Sequence, residues 1–293
     1  MSRFPKLPAW ILRIVWVVQP LALVPLLDDA SAHVSTFGRV VIAAGAWTAW
    51  AVGLLCTLVP STVSLTVGRL IAPITPVVAL TSALAADVVG WKVAVGLGAS
   101  LLAVVVWFSG ETGAMLAQGS AYGAEQRFPL KPPVPFLVPM VVTWIVLCAS
   151  ALSGVVLLAN RRWIVGGALA VLAVAITSFV AARFHLLSRR WLVVVPAGVV
   201  IHDPMILIEN ALFRGPALAA MRLAPAGTEA ADLTGGTAGV AIEIVLRETD
   251  TVVKVGARDQ PTGVALHVLS VLVSPSRPGK ALAAAAARHL PVG

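Results

Sequence analysis

The sequence predicts an α-helical polytopic membrane protein of about six transmembrane helices, followed by a small β-rich domain that closes on a C-terminal helix. Three observations carry this. Of 293 residues, 59% are apolar and 12% charged, against about 45–50% and about 25% in an average soluble domain. Six mostly apolar runs approach the roughly 20 residues that cross the hydrocarbon as a helix. After Phe184 such runs stop, and short β-branched stretches replace them.

The runs are Ala9–Leu27, Val40–Val59, Thr62–Ala86, Trp91–Phe108, Phe136–Ala159 and Trp163–Ala182. Trp10, Trp91, Trp107 and Trp163 stand at run ends, as expected of aromatic residues at the headgroups. Residues 1–184 therefore read as the transmembrane domain and 185–293 as the β domain. The first run also has features of a signal peptide, with Arg3 and Lys6 before the apolar stretch and Ala30-Ser31-Ala32 as a small-x-small site. Its apolar stretch is longer than the usual 7–15 residues, which favours an uncleaved span.

The net charge of +8 needs no nucleic acid to explain it. Eleven Arg and Lys stand against five Asp and Glu in the first 184 residues, and ten against eight thereafter, so the excess belongs to the membrane part. With the N-terminus inside, Arg3, Lys6, Arg127, Lys131, Arg183, Arg189 and Arg190 are cytoplasmic, against Arg39, Lys92, Arg161 and Arg162 outside. The positive-inside rule favours that choice. A cell-membrane location with both termini cytoplasmic follows. Cys56 and Cys148 fall within spans and read as small buried hydrophobes.

In the β part, Trp191–Val195, Val199–His202, Met205–Ile208, Val240–Leu246, Thr251–Val255 and Val264–Val273 read as strands. Pro196-Ala197-Gly198 and Glu248-Thr249-Asp250 read as turns. The closing helix has Ser276 as N-cap, Pro278 in its first turn, and Leu282, Ala286 and Leu290 on one face. About 105 residues suffice for one small core, so this part is expected to fold alone.

The search for chemistry names no catalytic residue, cofactor or metal ligand. There is no Walker A loop, zinc helix or nucleophile elbow. Asp28 and Asp29 after the first span resemble the acidic pair in the first loop of membrane glycosyltransferases, which implies a membrane-embedded transferase as one reading. Arg69 lies about 10 Å into the third span at 1.5 Å per residue. Thr62, Thr66, Arg69, Pro73 and Pro76 share one helical face. An arginine there costs about 2.5–3.5 kcal/mol on insertion scales and takes a partner or water. Three roles stay open: snorkelling to the headgroups, an ion pair with Glu111, or a substrate or ion path in a transporter or transporter subunit.

Between the fourth and fifth runs, Ser120–Pro133 reads SAYGAEQRFPLKPP. Tyr122, Glu125, Arg127 and Phe128 with three prolines form too specified a segment for a flexible linker, and read as a docking loop. Arg183, Arg189 and Arg190 are expected at the anionic inner leaflet, where each basic residue contributes about 1 kcal/mol.

RRWLVVVPAGVVIHD resembles the first hairpin of bacterial pleckstrin-homology-like (PH-like) domains, and the strand order with its closing helix is similar to that superfold. The whole chain resembles uncharacterised actinobacterial multi-span proteins, with YGAEQRFPLKPP the most distinctive part. The resemblance implies a PH-like domain that engages proteins, since its first hairpin loop carries none of the basic residues that hold phosphates in lipid-binding members. The expected function is an integral membrane scaffold or regulatory protein with a membrane or cytoplasmic protein partner.

Overall fold

The computed structural model describes residues 6–256 and 263–293. Arg3, which enters the orientation count, lies outside them. The described residues form two units. One comprises the chain up to Leu116 together with Met140–Phe184, and the other comprises Ala117–Pro139 and His185–Gly293.

In the first unit α1 (Lys6–Val17) and α2 (Gln19–Ala30) make one bent span. It is followed by α3 (Thr36–Leu58), a second bent pair α4 (Thr62–Ile71) and α5 (Ile74–Ala86), α6 (Trp91–Phe108), and the short α7 (Gly110–Gln118). The bulk of α8 (Val134–Ala159) and α9 (Trp163–Ser188) also belongs here. Among the described residues six helices are long and apolar enough to cross a membrane: Leu7–Ala30, Thr36–Leu58, Thr62–Ala86, Trp91–Phe108, Val134–Ala159 and Trp163–Ser188. Local signals set their ends. Ser35 Oγ accepts from Gly38 N and Ser61 Oγ from Ser64 N, capping α3 and α4.

The helices of this unit pack closely, and small residues allow it. Gly68 shows this: a Cβ there would lie 2.0 Å from the Trp107 ring. Gly53 meets Trp16 in the same way. Trp16 and Trp107 pack edge to face at 6.0 Å, with Leu12, Leu65 and Leu116 around them.

The second unit has two four-stranded sheets. In the first, β1 (Gln126–Pro129), β2 (Trp191–Val195), β3 (Gly198–His202) and β4 (Ala211–Arg214) lie in that order, all antiparallel. In the second, β5 (Leu218–Leu223), β7 (Ile242–Lys254), β8 (Val264–Val273) and the short β6 (Ala231–Asp232) lie in that order, with β6 parallel to β8. Alternate residues such as Leu192, Val194 and Phe213 from the first sheet and Met221, Ile244 and Val271 from the second meet in one core. Helix α10 (Pro278–Ala286) closes it.

Several expectations change. The strand β1 arises from the loop between the fourth and fifth spans. Met205–Ile208 forms a turn, with Leu207 in an isolated bridge to Lys254. Glu248–Asp250 is no turn: β7 runs through it, and a register shift between Val245 and Asp250 absorbs the misfit. The cap of α10 is Arg277, and its fully buried face is Ala281 and Ala285; Ala286 is exposed and Leu290 lies beyond the helix. Alanines let the helix approach the strands more closely than leucines would.

Candidate functional site

Both bends in the helical unit fall near the middle of the long apolar helices, and both follow from proline. In the first span Pro20 has no N–H, so the carbonyl of Trp16, four residues earlier, loses its helical partner. The Trp50 indole donates to that oxygen at 3.1 Å, and the Trp16 indole donates to the Trp50 carbonyl at 2.9 Å. Gln19 Nε2 donates to the Val15 carbonyl at 3.1 Å and to Ala99 on α6 at 3.0 Å. In the third span Pro76 removes the partner of the Ala72 carbonyl, and Thr75 Oγ1 donates there at 2.8 Å. The Leu70 carbonyl accepts from the Trp144 indole at 3.0 Å. At each bend a side chain thus meets a backbone carbonyl that proline leaves without its helical donor.

The two bent spans and α3 enclose a cavity of about 240 Å³. Trp16, Gln19 and Trp50 line its deep end, Asp28, Ser31 and Arg39 its surface end, and Ala43 and Ala46 part of one wall. Gln19 is 2% exposed and its Oε1 has no hydrogen-bond partner among the described residues.

Arg69 lies in the last turn of α4, just before the second bend. Its Nε donates to the Trp107 carbonyl at 3.3 Å and its guanidinium stands 5.5 Å from the Phe108 ring centre. The helix C-terminus is a favourable place for a cation. Thr62 and Thr66 are buried in the preceding turns, with Thr66 Oγ1 donating to Thr62 O. The bend separates this stretch from Pro73 and Pro76, so the polar face expected on a straight helix is divided. Glu111 stands in the first turn of α7, where a negative charge is favoured. Asp29 pairs with Lys92 at 2.6 Å, joining the end of the first span to the start of the fourth.

In the β unit the site is the junction made by the inter-span loop. Residues Gln126–Pro129 pair with Val194–Trp191. Leu130 N donates to Arg190 O at 2.9 Å, Lys131 N to Ser274 O at 2.8 Å, and Ser276 N to Pro129 O at 2.8 Å. The segment is thus hydrogen-bonded on both sides. Leu130 is in the core and Phe128 packs against it. Gln118 positions the strand from α7, its Oε1 accepting from Arg127 N and its Nε2 donating to Glu125 O. Arg127 pairs with Glu125 at 2.7 Å and covers the Trp191 ring at 4.4 Å. Tyr122 remains 84% exposed.

Arg190 locks this junction. Its side chain is 1% exposed and makes a two-pronged ion pair with Asp203, at 2.8 and 2.7 Å. Its remaining N–H groups reach the carbonyls of Lys131 at 2.6 Å and Thr234 at 3.4 Å. Such geometry uses the guanidinium fork, which lysine lacks. This corrects the expectation that Arg190 touches the membrane surface, because a buried, fully engaged side chain has nothing left for lipid. Arg183 and Arg189 are exposed, and Arg183 lies 4.3 Å from the Phe179 ring.

Sequence reasoning passed over Gln19 and Asp203. For Gln19 the signal is the Gln-Pro dipeptide inside an apolar run; for Asp203 no local signal exists, since its partner is thirteen residues away. Among the described residues no group of three His, Cys, Asp or Glu is placed to hold a metal. Comparison with known proteins gave no match to a family model, a curated protein or a solved structure.

Proposed function

We propose that this protein is an integral membrane scaffold or regulator whose β domain engages another protein at the cytoplasmic face of the cell membrane. The observation that supports this reading is β1. A loop between two spans supplies an edge strand, and only Arg189 and Arg190 separate α9 from β2. The domain is thus tied to the helical part of the chain at three points of the sequence, before and after β1 and before β2. Counting β1, the principal strands run four and then three before a C-terminal helix, which is the plan of the PH superfold. The β2–β3 turn, Pro196-Ala197, carries no basic side chain and so offers no cation cluster to a phosphorylated headgroup.

The test is co-purification in mild detergent. A stoichiometric partner should accompany the wild-type chain and be lost when Phe128→Asp and Leu130→Asp expel the loop strand. A partner that stays bound to that variant would place the contact elsewhere.

A second reading, transport, is favoured by the two mid-span bends lining one cavity, since broken helices build midplane sites in transporters. A small solute retained in place of a protein would select it.

A further inference from the structure

We propose that the cavity in the membrane unit holds one phospholipid with a zwitterionic head. One acyl chain lies between the bent spans, the ammonium meets Asp28 and the phosphate meets Arg39. This rests on the cavity and not on the scaffold reading.

Length is the first argument. Gln19 and Asp28 are nine residues apart on α2, or about 13–14 Å along a helix, and Arg39 and Trp50 on α3 are separated by about 16 Å. Half of a hydrocarbon core is about 15 Å. The cavity therefore spans the depth of one leaflet, from a charged surface end to the middle of the membrane.

Charge is the second. Asp28 and Arg39 line the same end and both are exposed. Among the described residues neither joins an ion pair, although Asp29 beside Asp28 does. A head with one positive and one negative group matches both, whereas an anionic head meets repulsion from Asp28.

The deep end is the third. The wall there is apolar apart from Gln19 and Thr75; the Thr75 hydroxyl is taken by the Ala72 carbonyl, and the Gln19 amide is buried, its Nε2 bonded to Val15 and Ala99. The reciprocal Trp16–Trp50 bonds hold that floor in place.

The experiment uses the full chain in detergent, with intact-complex mass spectrometry after stepwise delipidation and after adding phosphatidylethanolamine or phosphatidylglycerol. The wild type should keep one phosphatidylethanolamine per chain and prefer it by about fivefold or more, the scale of one or two exposed charge contacts. Ala46→Phe, which fills the groove, should lose the lipid. Asp28→Asn, at an exposed position, should erase the preference, whereas Arg39→Gln, which removes the phosphate contact the two heads share, should weaken retention of both lipids and leave the preference in place. Glycerophosphoethanolamine, a head without chains, should not compete. Equal retention of the two lipids by the wild type, an unaltered preference in Asp28→Asn, undiminished retention in Arg39→Gln, or competition by the free head would each overturn the proposal.

Discussion

Trp16 and Trp50 exchange hydrogen bonds, each indole N–H donating to the other's backbone carbonyl. The exchange satisfies the oxygen that Pro20 strips of its partner, and it fixes the bend of the first span against α3. Trp50→Phe should therefore destabilise the protein by about 1–2 kcal/mol, the scale of a hydrogen bond between membrane helices. Pro20→Ala in that background should restore part of the loss, because alanine at this position supplies the missing N–H. Thermal unfolding in detergent reads both changes, and simple additivity would refute the link.

Arg190 and Asp203 are a buried pair, so removing one partner strands the other. Arg190→Ala or Asp203→Ala should each cost about 3–5 kcal/mol. The joint change Arg190→Met with Asp203→Leu should cost less than the sum, though more than nothing, since the Lys131 and Thr234 carbonyls also lose a donor. Urea unfolding followed by Trp191 fluorescence measures these differences.

Glu243 is held below its ordinary value of 4.5, first by the Thr228 hydroxyl and then by Arg222, against the opposing effect of burial. A carboxylate depressed in the folded state contributes stability that is present above its unfolded pKa and is lost as pH falls through the folded one. The β domain should thus lose stability on acidification below about pH 4.5, and Thr228→Val should flatten that fall. Unfolding midpoints measured from neutral to acidic pH provide the check; an unchanged slope in the variant would contradict the assignment.

The spans were legible because hydropathy over some 20 residues is a strong signal, and Thr62–Ala86 and Trp91–Phe108 match the expected limits. The bends were less visible. Proline is tolerated in spans, so Pro20 reads as one more apolar residue until a partner for the Trp16 carbonyl is sought. The strand β1 is only four residues ending in proline, too short to show alternation, and its pairing partner lies far along the chain, after two further spans. The segment Glu125–Pro129 is readable as specified, but not as a strand. Leu282 and Leu290 stand out in the sequence as large apolar residues, while close approach to the strands selects Ala281 and Ala285.

That last point is testable. Ala285→Leu should overpack the helix against the core and cost about 1–3 kcal/mol, whereas Ala286→Leu on the exposed side should change little. Equal effects would mean that another face of α10 is buried.

Completion of the β domain by the inter-span loop is the central claim, and disulfide trapping in the full chain tests it most directly. Arg127 and Val193 are paired across β1 and β2, while Cys56 and Cys148 are buried elsewhere in the spans. With Arg127→Cys and Val193→Cys introduced together, mild oxidation in native membranes should close a bond within the chain, and a cut between the two positions should then leave the fragments joined until a reductant is added. A control pair, Tyr122→Cys with Val193→Cys, should remain open. Failure of the first pair to close, or equal closure of both, would contradict a strand supplied by the loop.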